Sequence, residues 1–275
     1  AAAAAAVTAQ FSGVEGEHME PILSVENLSI SFCRYGRGLS RVELTAIWDA
    51  SLTVDPGQVV AVVGASGGGK SLLAHAVFHL LPRNAQVSGR LLYAGEPLTA
   101  DRARRLRGQE IVLVPQGVTW LDPMMRVGPQ VCRGRRDAET RRRCREALAR
   151  YGLGPKVEEL YPFQLSGGMA RRVLIASAVM EEPRLVVADE PTPGLDVRAA
   201  GRILDHFREL ADQGAGVLFI THDLEMALTI ADKLVVFHEG RTVEEAPAAC
   251  FRTGEGLLHP YSRALWRAMP ENDFL

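Results

Sequence analysis

Long apolar runs are missing from this 275-residue sequence. Its apolar stretches, such as Val59–Val63 and residues 185–188, fall far short of the ~20 residues that span a bilayer, so a membrane role requires a separate partner subunit. No basic segment followed by an apolar one opens the chain, so residues 1–19 are not read as a signal peptide. The six opening alanines and His18-Met19 are expected to be a tag and cloning junction before a native start at Met19. A net charge of only −2 gives no global case for nucleic acid. The four cysteines (Cys33, Cys132, Cys144 and Cys250) lack metal-ligand spacing and are expected to be free thiols of a reducing cytosol. There are no internal repeats. What the chain does have is 47% apolar residues, enough to bury a sizeable core in one large domain or a domain with an inserted lobe.

Residues 22–32 and 47–54 read as strands, the second ended by Asp55-Pro56-Gly57, a turn signal. Residues 89–93 are a further short strand. Ile111-Val112-Leu113-Val114 is a buried-type strand ended by Pro115, with Gln116 just past its C-terminal end, where ligand-binding groups collect in open α/β sheets. From about Thr119 to Leu165 the strand signal gives way to Arg-rich, helical sequence (Arg133, Arg135, Arg136, Arg141, Arg142, Arg143, Arg145), an inserted helical lobe. These arginines are either a solvated helix face or a docking surface for an acidic partner or lipid head groups; with no aromatics among them, a nucleic-acid surface is disfavoured. The α/β rhythm resumes with a helix from near Ser166, the strand at 185–188, a helix at 198–211, the strand at 217–220, the helix Leu224–Ile230 and the strand at 234–237. Such alternation predicts a mostly parallel sheet covered on both faces.

Gly64-Ala65-Ser66-Gly67-Gly68-Gly69-Lys70-Ser71 lies between the strand Val59–Val63 and the helical sequence at 72–77, the strand–loop–helix context of a P-loop. Its glycines let successive N–H groups turn toward phosphate oxygens, and the helix adds its positive end. Lys70 would reach the β- and γ-phosphates and Ser71 would bind Mg²⁺. Asp189 and Glu190 end an apolar strand: an acid there can hold Mg²⁺, and its neighbour can polarise an attacking water. Leu165-Ser166-Gly167-Gly168-Met169 offers a capping hydroxyl and two glycines whose N–H groups can approach a phosphate closely.

Taken in order, these motifs resemble the ATP-binding subunits of ABC transporters over nearly the whole chain after residue 19. The resemblance implies a P-loop NTPase (RecA-like) core with a mostly parallel sheet, an N-terminal antiparallel β subdomain and an inserted α-helical subdomain. It places the P-loop at 64–71, the Q-loop at Gln116, the signature at Leu165, Ser166, Gly167, Gly168 and Met169, Walker B at Leu185–Asp189, the catalytic acid at Glu190, the D-loop at Gly194-Leu195-Asp196 and the switch histidine at His222. Gln116 would contact Mg²⁺ and the attacking water, His222 would bond the γ-phosphate and orient Glu190, and Asp196 would couple two sites across a dimer. Phe32 matches the aromatic that stacks on adenine, with Tyr35 a substitute. The metal set is Ser71, Gln116 and Asp189.

Two residues depart from the family's pattern: Gly68, where Ser is more frequent, and Met169, where Gln is usual. Leu258-His259-Pro260-Tyr261-Ser262-Arg263-Ala264-Leu265 resembles the extension of the oligopeptide, dipeptide and nickel importer ATPases; the Met-ending signature after Tyr161-Pro162-Phe163 resembles the nickel branch, and the iron–sulfur cysteine cluster of some relatives has no counterpart here. The expected organisation is therefore an ABC ATPase domain at 20–245, its helical subdomain at about 119–165, and an importer-type extension at 246–275. The expected cofactors are ATP and Mg²⁺. The expected partners are a second ATP-binding subunit, by preference a different chain, two transmembrane permease subunits and an extracytoplasmic solute-binding protein, without nucleic acid. This implies work at the cytoplasmic face of the cell membrane, energising import of nickel, a metal chelate, or di- or oligopeptides. The alternative is a soluble ABC ATPase acting on DNA or ribosomes.

Overall fold

The computed structural model describes residues 20–35 and 41–270. The tag-like start, the Tyr35 side chain and residues 271–275 lie outside the described residues. The elements run β1 (Leu23–Tyr35), β2 (Arg41–Val54), β3 (Val59–Val63), α1 (Lys70–Val77), β4 (Ala85–Tyr93), β5 (Glu96–Pro97), α2 (Ala100–Leu106) and β6 (Ile111–Val114). Then follow α3 (Val127–Val131), α4 (Ala138–Arg150), α5 (Gly167–Val179), β7 (Leu185–Asp189), α6 (Val197–Asp212), β8 (Gly216–Thr221), α7 (Leu224–Ile230), β9 (Lys233–His238), β10 (Arg241–Pro247), α8 (Ala248–Thr253) and α9 (Pro260–Arg267).

The strands form two sheets, one antiparallel in the order β2-β1-β4-β5 and one six-stranded in the order β10-β9-β3-β8-β7-β6. The second is parallel apart from its edge strand β10. The fold is thus the expected P-loop core with an antiparallel subdomain. β2 and β4 are longer than their apolar pattern predicts. Irregularities in the β1–β2 register between Val25 and Ser31 break the period-two alternation while pairing continues to Tyr35↔Arg41.

The parallel strands are buried along both faces, which is why they read as continuous apolar runs. Val59, Ala61, Val63, Val186, Ala188, Val217 and Phe219 join one core with α6 and α7. Val60, Val62, Leu185, Val187, Leu218 and Ile220 join the other, shared with α1 and the antiparallel sheet. α6 turns Ala200, Ile203, Leu204, Phe207 and Leu210 inward at helical spacing, and Phe207 meets Phe219 at a 6.5 Å centroid separation. Truncating either ring to Ala costs about 3–5 kcal/mol, a large share of a domain's net stability. This double burial fixes the C-terminal strand ends, from which the site residues project.

Between β6 and α5 the chain makes α3, α4 and three 3₁₀ turns, at Val118–Trp120, Pro155–Glu159 and Pro162–Gln164. α4 starts where the Asp137 carboxylate accepts a bond from the Thr140 amide at 2.8 Å. Most of the arginines here are used locally: Arg133 on the Ser177 carbonyl, Arg135 and Arg143 on Glu181, Arg142 between Glu139 and Glu146, and Arg145 on Glu158. This pairing favours the solvated-face reading of the Arg-rich segment over a docking surface. All four cysteines are unpaired thiols.

Candidate functional site

The glycines at the two ends of the loop are shaped by different constraints. Gly64 has φ +152°, and a Cβ there would stand 2.0 Å from the Phe237 carbonyl oxygen, so the loop leaves β3 pressed against β9. Gly69, at φ +94°, begins α1 with no side-chain cap and leaves the first helical N–H groups open to a ligand. α1 starts at Lys70, earlier than the apolar pattern implies. Lys70 folds back across the loop, its ammonium donating to the Gly64 and Ala65 carbonyls at 2.8 Å each. Burial lowers the Lys70 pKa, while Glu190 and Asp189 pull it upward. Gly68 donates its N–H to the Ala65 carbonyl at 3.4 Å.

Ser66, Gly67, Gly69, Lys70 and Ser71 share a cleft of about 330 Å³ with Gln116, Asp189 and Glu190. The Ser71 hydroxyl donates to Asp189 Oδ1 at 3.1 Å, joining the start of α1 to the end of β7. Burial raises the Asp189 pKa, with the Ser71 bond opposing. Glu190 is held at φ +47°, a region that non-glycine residues seldom occupy. Its N–H donates to the Ile220 carbonyl, and its carboxylate Oε1 lies 2.8 Å from Nδ1 of His222. The second oxygen, Oε2, is buried with no hydrogen-bond partner.

Ser71, Gln116 and Asp189 give this cleft the oxygen donors that suit a hard divalent cation. No group of three or more His, Cys, Asp or Glu able to cage a metal exists among the described residues. Mg²⁺ held by few protein ligands and completed by phosphate oxygens and water fits this donor set.

The signature residues stand apart from the cleft. Ser166 caps α5, its hydroxyl accepting from the Met169 amide at 3.2 Å. A Cβ on Gly167 would meet nothing within 4 Å, whereas one on Gly168 would lie 3.4 Å from Leu195, in the segment that ends at Asp196. Leu165 and Met169 pack on the core of the parallel sheet. Asp196 caps α6 by accepting from the Ala199 amide at 2.9 Å, a bond that holds its carboxyl below the usual range. Phe32 is half-buried against the core beneath the antiparallel sheet and does not line the cleft.

A residue that the motifs do not mark ties these parts together. Arg171, in the first turns of α5, donates to the Gln116 carbonyl at 2.9 Å and to the Glu190 carbonyl. Its partners are main-chain oxygens 55 and 19 positions away, so no side-chain pattern announces it.

Residues 47–193 match the family model for ABC transporters, more than half of the chain. The chain belongs to the ABC transporter family. As an ABC ATP-binding subunit it hydrolyses ATP. It is 34% identical over 267 residues to a peptide import ATP-binding protein of Brucella abortus (strain 2308), covering 92% of this chain and 78% of that one. It is 36% identical over 265 residues to the oligopeptide transport ATP-binding protein OppD of Lactococcus lactis subsp. cremoris (strain SK11), covering 91% and 76%. A solved ATP-binding subunit of an ABC transporter superposes at TM-score 0.69 with 28% identity, over 86% of this chain and 94% of that one. A dimeric ATP-binding cassette bound to ADP and Pi superposes at TM-score 0.72 with 24% identity, over 82% and 98%, which speaks for the fold alone.

Proposed function

We propose that this chain energises an importer of di- or oligopeptides, using ATP bound in the P-loop cleft. The observation that carries the reading is one cleft holding Lys70, Ser71 and Asp189, with Glu190 against His222 at its edge. In this reading Lys70 exchanges the two loop carbonyls for β- and γ-phosphate oxygens, a replacement that its three donors allow. Glu190 takes a proton from the attacking water, and His222 orients the Glu190 carboxylate and bonds the γ-phosphate. Ser71, Asp189 and Gln116 would hold Mg²⁺, which when bound would neutralise phosphate charge. Phe32 stacks on the adenine.

The signature, set apart from its own chain's cleft, serves the nucleotide of a second ATP-binding subunit, by preference a different chain. Gly167 and Gly168 bring their N–H groups to that phosphate, and Asp196 couples the two sites. ATP binding closes the pair and hydrolysis reopens it. The remaining partners are two permease subunits and an extracytoplasmic solute-binding protein, without nucleic acid. A cleft of about 420 Å³ between the parallel core and the helical lobe, with Leu113, Pro115 and Leu174 on its wall and Trp120 54% exposed at its rim, supports the permease contact. No helix among the described residues can cross a membrane, consistent with peripheral work at the cytoplasmic face through those subunits. The ATPase domain takes residues 20–245 with its helical subdomain at about 119–165, and the extension takes 246–275.

Peptide import is favoured because the Brucella and Lactococcus relatives are named for it. The nickel preference rests on the Met-ending signature after Tyr161-Pro162-Phe163 and finds no support in those names, and neither does work on DNA or ribosomes. The test is the ATPase rate of the assembled membrane complex with its binding protein loaded with di- or oligopeptides or with a nickel chelate. Stimulation by peptides alone supports the proposal; stimulation by the nickel-loaded protein alone overturns it.

A further inference from the structure

The C-terminal motif around Tyr261 has no part in the chemistry above, yet it reaches the phosphate loop. Two backbone amides at its start, those of Leu258 and His259, donate to the Glu244 carboxylate of β10 at 2.6 and 3.2 Å. His259 Nδ1 accepts from the Tyr261 amide at 3.2 Å and caps α9, whose first residue is Pro260. Arg263 donates back to the Leu257 carbonyl at 2.8 Å, closing the turn. These bonds hold the main chain that carries Tyr261. Its ring stacks on His238 at the end of β9, with centroids 3.8 Å apart and planes inclined by 22°. Its hydroxyl accepts a hydrogen bond from the Ala65 amide at 3.2 Å.

The amide of Ala65 and the carbonyl of Gly64 belong to one planar peptide group. Lys70 donates to that carbonyl, and Tyr261 accepts from that amide. A single peptide at the mouth of the P-loop is therefore gripped from both ends, by the phosphate-reaching lysine and by the C-terminal extension. The Gly64 Cα beside it is already pressed against the Phe237 carbonyl, next to the His238 on which Tyr261 stacks. Rotation of this peptide would change how firmly Lys70 is retained by the loop carbonyls that a phosphate must replace.

We propose that Tyr261 is a positioning residue for nucleotide binding: by fixing the Gly64–Ala65 peptide it presets the phosphate loop, so that the extension sets ATP affinity. The proposal rests on the P-loop being the ATP site. Preorganisation of this kind raises affinity without adding a contact to the ligand. Loss of one neutral hydrogen bond sets the scale of the effect, about threefold to tenfold in affinity.

The test compares the full chain with Tyr261→Phe, which keeps the ring and removes the hydroxyl, and with Tyr261→Ala, which removes both. Readouts are the Kd for a non-hydrolysable ATP analogue, KM and kcat in the assembled complex, amide exchange at Ala65, and the thermal midpoint. The expected result for Tyr261→Phe is faster exchange at Ala65, a Kd and KM raised about threefold to tenfold, and kcat changed less than twofold. The thermal midpoint should fall by no more than about 4 °C, the scale of one lost neutral hydrogen bond, and Tyr261→Ala should raise Kd further. Unaltered Kd in Tyr261→Phe would overturn the proposal, as would a rise in Kd accompanied by a midpoint lowered well beyond that scale, which marks a merely structural role. A wild-type chain that binds no ATP analogue while Ala65 remains protected would overturn the nucleotide-site reading beneath it.

Discussion

His222 Nδ1 and Glu190 Oε1 lie 2.8 Å apart, while the second oxygen of the same carboxylate is buried and unpartnered. A carboxylate with one oxygen oriented by His222 and the other without a hydrogen-bond partner is arranged to receive a proton. Glu190→Gln keeps the shape and removes the base. Steady-state hydrolysis should fall at least about a hundredfold with ATP affinity retained, trapping a closed ATP-bound dimer. Residual hydrolysis within about tenfold of wild type would sink the assignment.

Arg171 spans the carbonyls of Gln116 and Glu190 from α5. Arg171→Met keeps the stem and deletes the donors. Hydrogen bonds from a charged donor are worth roughly 1.5–3 kcal/mol when buried, and Arg171 is partly exposed, so a loss of about 1–2 kcal/mol in urea unfolding is expected. The distinguishing result is kcat lowered severalfold at unchanged ATP Kd, because both gripped carbonyls belong to residues proposed to act on the attacking water. Equal falls in kcat and affinity would assign Arg171 to general stability.

Gly64→Ala and Lys70→Ala separate shape from charge in the loop. The first places a Cβ 2.0 Å from the Phe237 carbonyl, and main chain cannot step aside cheaply. A loss of at least about 2–3 kcal/mol is expected, seen as a lowered urea midpoint. Lys70→Ala should fold at near-wild-type stability and fail to bind ATP by titration calorimetry; unchanged nucleotide affinity would remove the P-loop assignment.

His206 makes folding depend on acidity. Burial, reinforced by the nearby Arg150, pushes its pKa from 6.5 down to about 4, and its ring meets the Tyr151 hydroxyl. Below pH 6.5 the unfolded chain takes up a proton that the folded chain refuses, so stability is fully present above that pH and declines as pH falls toward about 4. His206→Gln should flatten the slope of the urea midpoint in this window, and an unchanged slope would refute the linkage.

The central strands are legible because burial on both faces writes them as unbroken apolar runs between turn signals, as at Val59–Val63 after Asp55-Pro56-Gly57. α2 carries no such signal. Of its residues only Ala103 is buried, and it is held by the Thr99 cap and by Arg102 on the carbonyls of Tyr93 and Glu96. β10 is equally silent, since a polar edge strand ending in proline has no alternation to display. In the site, each motif is readable alone because glycine, lysine and acid have fixed uses around phosphate. The pairings are not, because the Glu190–His222 contact crosses 32 positions and the Tyr261–Ala65 contact 196.

One consequence follows from Gly168 lying against Leu195. The helix proposed to meet a second subunit's nucleotide and the segment leading to Asp196 touch within one chain, with Arg171 a turn further along the same helix. A push delivered to the front of α5 from outside therefore arrives at two addresses, the backbone of Glu190 and, in the proposed pair, the segment that would face the second subunit. Each half of such a pair would know the state of the other through a lever less than one helix long.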